Sequence, residues 1–207
     1  MKNDAVTPDL FDFDKEQFPC VKLLCGCDEA GRGPLAGPVF AAAVILDPQK
    51  RIEGLNDSKK LTEKKRERLF GEIIENALYY SISMISPQEI DEINILAASM
   101  KAMAEAVASL GAVPELVIAD GNKIPPVRVP AQAIIKGDGR SACIAAASVL
   151  AKVSRDRYMM QMHEKYPQYR FDKHKGYPTR LHYEMIAEYG VSDIHRKTFL
   201  KTLDRHI

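Results

Sequence analysis

Val21-Lys-Leu-Leu-Cys-Gly-Cys27 runs directly into Asp28-Glu-Ala-Gly-Arg-Gly-Pro34, and after Leu35-Ala-Gly-Pro38 comes a second apolar run, Val39-Phe-Ala-Ala-Ala-Val-Ile-Leu46. Short continuous apolar segments bounded by glycine and proline read as strands buried on both faces, with a polar loop between them. Downstream, Thr62 is an N-cap for a helix through about Asn76, and Leu78 to Ile85 alternates as a third strand with Tyr80, Ile82 and Met84 on one side. Leu96, Met100, Met103, Val107 and Leu110 recur at intervals of 4, 3, 4 and 3 before Gly111, the spacing of an amphipathic helix with a glycine stop. Glu115 to Asp120 and Ala131 to Lys136 read as two further strands, and Ser141 to about Gln161 as a helix rich in small residues, able to lie close on a sheet. Another helix is expected near Thr179 to Tyr189, followed by a basic tail. The pattern is α/β: a mixed five-stranded sheet flanked by helices, with a C-terminal helical extension.

The chain divides into an N-terminal arm (1–19), acidic, punctuated by Leu10, Phe11, Phe13 and Phe18 and expected to be loosely held, a core (20–160) and the C-terminal extension (161–207). With 207 residues, 46% hydrophobic and 28% charged, the core needs no staples. The four cysteines (20, 25, 27, 143) lack zinc-ligand spacing, and nothing at the start resembles a signal peptide, so a reducing, cytoplasmic setting is expected. The chain is also expected to be a monomer. The longest apolar runs fall short of the ~20 residues of a membrane span. The net charge of +1 hides an asymmetry: residues 152–207 hold 12 basic and 7 acidic residues, the remainder 17 and 21. A basic quarter beside an acidic remainder suits a polyanion partner or simply a solvated helical face.

Asp28, Asp120 and Asp138 each stand where an apolar strand gives way to a glycine-bearing loop, the place where open α/β sheets build sites. If the strands ending at Asp28 and Asp120 are parallel neighbours, their carboxylates lie side by side and Asp138 joins them. Glu29 follows Asp28 directly, so it points to the opposite face unless the chain turns there. Carboxylates converging without His or Cys form a hard-oxygen site for Mg²⁺ or Mn²⁺. Two such ions, about 3.5–4 Å apart, are the usual device of phosphodiester-cleaving enzymes. Singly, each Asp serves equally well as a helix cap or an Asx turn. Gly31-Arg32-Gly33 allows close backbone approach to a ligand, including a ribose hydroxyl. The spacing of Gly31, Gly33 and Gly37 is not a dinucleotide fingerprint, and no phosphate-binding G-K-[ST] motif occurs.

Asp28-Glu-Ala-Gly-Arg-Gly-Pro-Leu-Ala-Gly-Pro-Val39 resembles the bacterial ribonuclease HII family of the ribonuclease H-like superfamily. Leu55-Asn-Asp-Ser-Lys-Lys-Leu61, Ile118-Ala-Asp-Gly121, Lys136-Gly-Asp138, Ala145 to Arg157 and His174-Lys-Gly-Tyr-Pro-Thr179 match in family order. The resemblance implies a ribonuclease H-like fold and an endonuclease that cuts the RNA strand of RNA–DNA hybrids. It also implies incision of DNA 5′ of embedded ribonucleotides by a two-metal mechanism that leaves 3′-hydroxyl and 5′-phosphate ends, with no organic cofactor and no membrane partner. The implied catalytic and metal set is Asp28, Glu29, Asp120 and Asp138. Gly31, Arg32, Gly33 and Tyr177 are implied to sense the ribonucleotide junction, and Lys59, Lys152 and Arg155 to contact phosphates. Asp156, beside Arg155 and Arg157, is expected in a structural ion pair. His174 and His182 are either substrate contacts or structural. The rivals are the sister family ribonuclease HIII, a DNA-strand nuclease or integrase of the same superfamily, and a non-catalytic hybrid-binding module.

Overall fold

The computed structural model describes residues 9–200. The first eight residues of the expected arm and the last seven of the basic tail lie outside them. Five strands, β1 (Leu24–Ala30), β2 (Val39–Leu46), β3 (Ala77–Ile85), β4 (Leu116–Asp120) and β5 (Ala131–Ile134), form one sheet in the order β3-β2-β1-β4-β5. β1, β2 and β3 pair antiparallel, whereas β1, β4 and β5 run parallel. The sheet is therefore mixed. All eight residues of β2 are buried: Ala42, Val44 and Leu46 face one core cluster, Ala41, Ala43 and Ile45 the other. A strand covered on both sides has no polar face, which is why its sequence does not alternate.

The first of those clusters lies under α5 (Ala142–Lys165), whose N-cap Ser141 accepts from the Ile144 N–H at 3.3 Å. Its small residues bring its backbone directly onto β1, where a Cβ on Gly26 would collide with the backbone of Cys143 and Ile144. The second cluster lies under α4 (Ile95–Ala108). Here the expected stripe holds except at its start: Met103, Val107 and Leu110 are buried and Met100 packs on the cluster, but Leu96 is 40% exposed, and Ala98, Ala102 and Ala106 are fully buried beside them. Small residues hold those positions because α4 packs closely enough for Ser81 and Ser83 of β3 to bond the Ala106 and Ala102 carbonyls.

Helix α2 (Glu63–Asn76) starts at its Thr62 cap as expected. The short α3 (Pro87–Ile93) precedes α4, and α6 (Phe171–His174) and α7 (Arg180–Tyr189) form the C-terminal extension. The arm is not loose over its described part, where α1 (Leu10–Gln17) docks Phe11, Phe13 and Phe18 on the first core cluster. Its Asp14 carboxylate accepts from the Cys143 N–H at 3.0 Å at the N-terminus of α5, a bond that partly offsets the rise in pKa that burial imposes. No helix among the described residues is long and apolar enough to cross a membrane.

Candidate active site

β1 and β4 are parallel neighbours with Cys27 opposite Ala119, so Asp28 and Asp120 follow side by side at the carboxyl ends of the two strands. Cys25 and Cys27 pack on the α4 side, whereas Gly26 meets α5, so Asp28 emerges on the α5 face of the sheet. Asp138 arrives from the single turn Gly137–Gly139 that follows β5, entered through Lys136 at φ 56°. The turn is tied to β4 by the Gly137 N–H, which donates to Asp120 Oδ1 at 2.6 Å. Carboxylate oxygens of Asp28, Asp120 and Asp138 all lie within 4.8 Å of one another.

Glu29 is not in that group. β1 stays extended through Ala30, so no turn falls between Asp28 and Glu29, and the Glu29 carboxylate pairs with Arg32 at 3.3 Å. It remains within electrostatic reach. Burial pushes the Asp28 carboxyl well above the usual range, and the charges of Glu29 and Asp120 push it further. Burial likewise raises Asp138, helped by Asp120 and Asp57, and raises Glu29 against the opposing pull of Arg32. Partial burial disfavours charge on Lys59, but Asp28 and Asp138 outweigh it and raise its pKa. Lys59 Nζ stands 3.8 Å from Asp138 Oδ2 on a largely exposed side chain. One exposed ammonium beside three crowded carboxylates leaves an excess of negative charge, and the donor set is all oxygen. Both features fit a divalent cation of the Mg²⁺ or Mn²⁺ type.

The glycine loop forms the adjacent rim. Gly31 sits at φ +100°, and a Cβ there would collide with the Arg155 side chain, so only glycine fits. Arg32 and Gly33 are exposed. Tyr177, 39% exposed, stands beside them: a Cβ on Gly33 would lie 4.0 Å from its Cε1. Its ring is backed by Lys152 Nζ and the Arg155 guanidinium at 5.8 and 5.7 Å from the centroid.

Several expected contacts are placed differently. Arg155 is 1% exposed and donates to the carbonyls of Pro38 (3.2 Å), Lys175 (3.0 Å) and Ala36 (3.0 Å), so it cannot reach a phosphate and scaffolds the loop instead. Asp156 is ion-paired, but to Lys152 at 2.7 Å and Arg66 at 3.9 Å rather than to its sequence neighbours. Arg66 also donates to the Ser58 and Leu61 carbonyls, holding the turn that carries Lys59. His174 and His182 are buried and structural. Sequence reasoning missed Asp57, which crowds Asp138, and Ser148, whose hydroxyl donates to Ser58 Oγ at 2.7 Å and lies near enough to the Asp28 carboxyl to oppose the rise in its pKa. Both lie in family motifs, and that was their only signal. It also missed Arg196, hidden in what read as a basic tail.

A family model described as Ribonuclease HII matches residues 25–202. The chain belongs to the ribonuclease HII family. Membership makes it a metal-dependent ribonuclease H endonuclease. It is 61% identical over 177 residues to the ribonuclease HII of Idiomarina loihiensis, covering 86% of this chain and 95% of that relative. With the ribonuclease HII of Caldicellulosiruptor saccharolyticus it shares 55% over 184 residues, 89% of this chain and 90% of the other. The crystal structure of ribonuclease H2 from Pyrococcus horikoshii OT3 superposes with a TM-score of 0.72 at 30% identity, covering 88% of this chain and 98% of that one. The ribonuclease H-like fold, with its mixed five-stranded sheet and flanking helices, is thus established.

Proposed function

We propose that this chain hydrolyses the RNA strand of RNA–DNA hybrids and incises DNA on the 5′ side of an embedded ribonucleotide, leaving 3′-hydroxyl and 5′-phosphate ends. The observation that carries the reading is the juxtaposition of the Asp28, Asp120 and Asp138 carboxylates with the glycine loop and the Tyr177 ring. We assign Asp28, Asp120 and Asp138, with Glu29 at the rim, to two divalent ions, Mg²⁺ or Mn²⁺. Bound there, the ions supply water activation and neutralise charge on the scissile phosphate.

The chain's own residues do the rest. Asp120 orders the turn that delivers Asp138, because its Oδ1 accepts the Gly137 N–H. Lys59 is placed to meet a phosphate beside the carboxylates, and Lys152 supports the Tyr177 ring from behind. The exposed Arg32–Gly33 backbone admits a ribose hydroxyl, and the ring offers a plane for the following sugar. A binding module without catalysis has no use for three crowded carboxylates, two of them with raised pKa values, and a DNA-strand nuclease has no use for the loop-and-ring recess. The family match favours ribonuclease HII over ribonuclease HIII.

Asp120→Asn tests the assignment cleanly, since the amide oxygen keeps the bond to Gly137 while one ligand charge is lost. On a duplex with one ribonucleotide in Mg²⁺, cleavage is expected to fall by ~10³-fold or more, several kcal/mol of transition-state stabilisation, at an unchanged melting temperature. Near-normal cleavage overturns the metal assignment.

A further inference from the structure

Arg196 lies in the C-terminal extension, 168 residues from Asp28 in sequence, yet its fully buried guanidinium sits under the glycine loop. Nη2 donates to the Gly31 carbonyl at 2.6 Å, Nη1 to Arg32 at 3.0 Å and Nε to Gly37 at 2.9 Å. Its backbone N–H donates to the Leu35 carbonyl at 2.8 Å. Among the described residues, no carboxylate comes within ion-pair distance of it; the loop carbonyls are its hydrogen-bond acceptors, with the Phe199 ring 5.1 Å from the guanidinium and the more distant Asp91 charge adding to them. Burial and neighbouring Arg155 lower its pKa to about 9, which still leaves it protonated at neutral pH.

Satisfying three loop carbonyls contributes stability, but that alone does not call for a guanidinium. What a planar guanidinium provides is direction, a rigid fork that holds several acceptors in fixed positions. In a trans peptide the C=O and N–H point opposite ways. Drawing the Gly31 and Arg32 carbonyls down onto Arg196 therefore turns the Arg32 and Gly33 N–H groups away from it. Those two residues are exposed, on the side where Gly33 adjoins Tyr177. Two successive N–H groups facing one way form a small donor pair suited to a single oxygen.

We propose that Arg196 is a positioning residue for substrate choice: its hold on the Gly31 and Arg32 carbonyls aims the Arg32 and Gly33 amides at the ribonucleotide's 2′-hydroxyl. This rests on the ribonucleotide reading above. The test compares Arg196→Lys, whose ammonium cannot span three carbonyls in one plane, with the unsubstituted chain.

Binding is measured in an Asp120→Asn background, so that no substrate is cut, on an all-deoxy duplex and on the same duplex with one ribonucleotide. Arg196→Lys is expected to lose at least tenfold of the preference for the ribonucleotide. With Asp120 intact, its kcat on that duplex is expected to fall 10- to 100-fold per folded molecule, while the half-saturating Mg²⁺ concentration stays within twofold. A purely structural Arg196 lowers melting temperature and active fraction but moves neither the binding preference nor kcat per folded molecule, and that result overturns the assignment. If the unsubstituted chain shows no preference, the ribonucleotide reading fails and the assignment falls with it. The amide direction is also readable with Arg196 retained. The Arg32 and Gly33 amide resonances are expected to shift on adding the ribonucleotide duplex and not the all-deoxy one, and unchanged resonances contradict the proposal even if Arg196→Lys does not fold.

Discussion

Lowering the pH from 7 to 5 should destabilise this protein through three imidazoles behind the Tyr177 loop. His174 and His182 stack at 4.2 Å between centroids, and His182 Nε2 lies 3.1 Å from His195 Nε2. The partners settle the protons. His174 Nδ1 accepts from the Gly176 N–H, so its Nε2–H donates to the Tyr169 carbonyl. His182 Nδ1–H donates to the Tyr177 carbonyl, which leaves Nε2 to accept from His195, whose Nδ1 accepts from the Ser192 N–H. Each neutral ring thus uses its one donor and one acceptor, and an added proton would meet a donor already in place. Burial lowers all three pKa values, that of His182 to about 3 and that of His195 to about 4. With folded values below the unfolded ~6.5, this stability is complete above pH 6.5 and is lost progressively as pH falls toward 4 and then 3. At pH 5 each of His182 and His195 withdraws ~2 kcal/mol, about 1.5 units at ~1.36 kcal/mol each.

The carboxyls of Asp28, Asp138 and Glu29, raised by burial, take up protons in the folded state first and so act with the opposite sign. A difference measurement cancels them. In urea unfolding at pH 7, 6 and 5, the unsubstituted protein should lose ~2 kcal/mol more than His182→Gln, a slope difference of ~1.4 kcal/mol per pH unit below 6.5. Parallel stability profiles would refute the claim that His182 is held neutral in the fold.

Two further substitutions separate packing from function. Gly26→Ala drives a methyl into the backbone of α5, which cannot yield without leaving β1. A loss of ~3 kcal/mol and a melting temperature ~6–12 °C lower is expected by calorimetry, and a shift under about 2 °C contradicts the close approach. Tyr177→Ala should keep its melting temperature within a few degrees and lose ~1–3 kcal/mol of transition-state stabilisation at a single ribonucleotide, while Tyr177→Phe retains much of the activity. Equal damage from both in kcat/KM assays would make the hydroxyl, not the ring plane, the active feature.

What could be read from the sequence was whatever depends on short range. The run Val39–Leu46 announces a doubly covered strand by itself, and an apolar segment that ends in Asp and leads into a glycine turn marks Asp28 and Asp120 through local pattern alone. The pairing of Glu29 with Arg32 was not legible, because it turns on whether β1 ends one residue earlier or later. Arg155 and Arg196 were read as surface cations because a formal charge ordinarily stays in water. Their burial requires carbonyls from the glycine loop, with the Lys175 carbonyl also serving Arg155, and sequence periodicity carries no record of that assembly. The arm misled for a related reason. Its acids suggest solvation, but Asp14 accepts the Cys143 N–H at the start of α5 and the phenylalanines anchor the helix.

The most direct test of the central claim is the cleavage map of one duplex made in two forms, all-deoxy and with a single ribonucleotide, each incubated with Mg²⁺ or Mn²⁺ and with chelator. The expected result is a metal-dependent cut on the 5′ side of the ribonucleotide, with a 3′-hydroxyl end, and resistance of the all-deoxy form by up to ~10⁴-fold or more, because the site pairs a hydroxyl that deoxyribose lacks. Comparable cutting of both duplexes, or cutting that survives the chelator, would contradict the account.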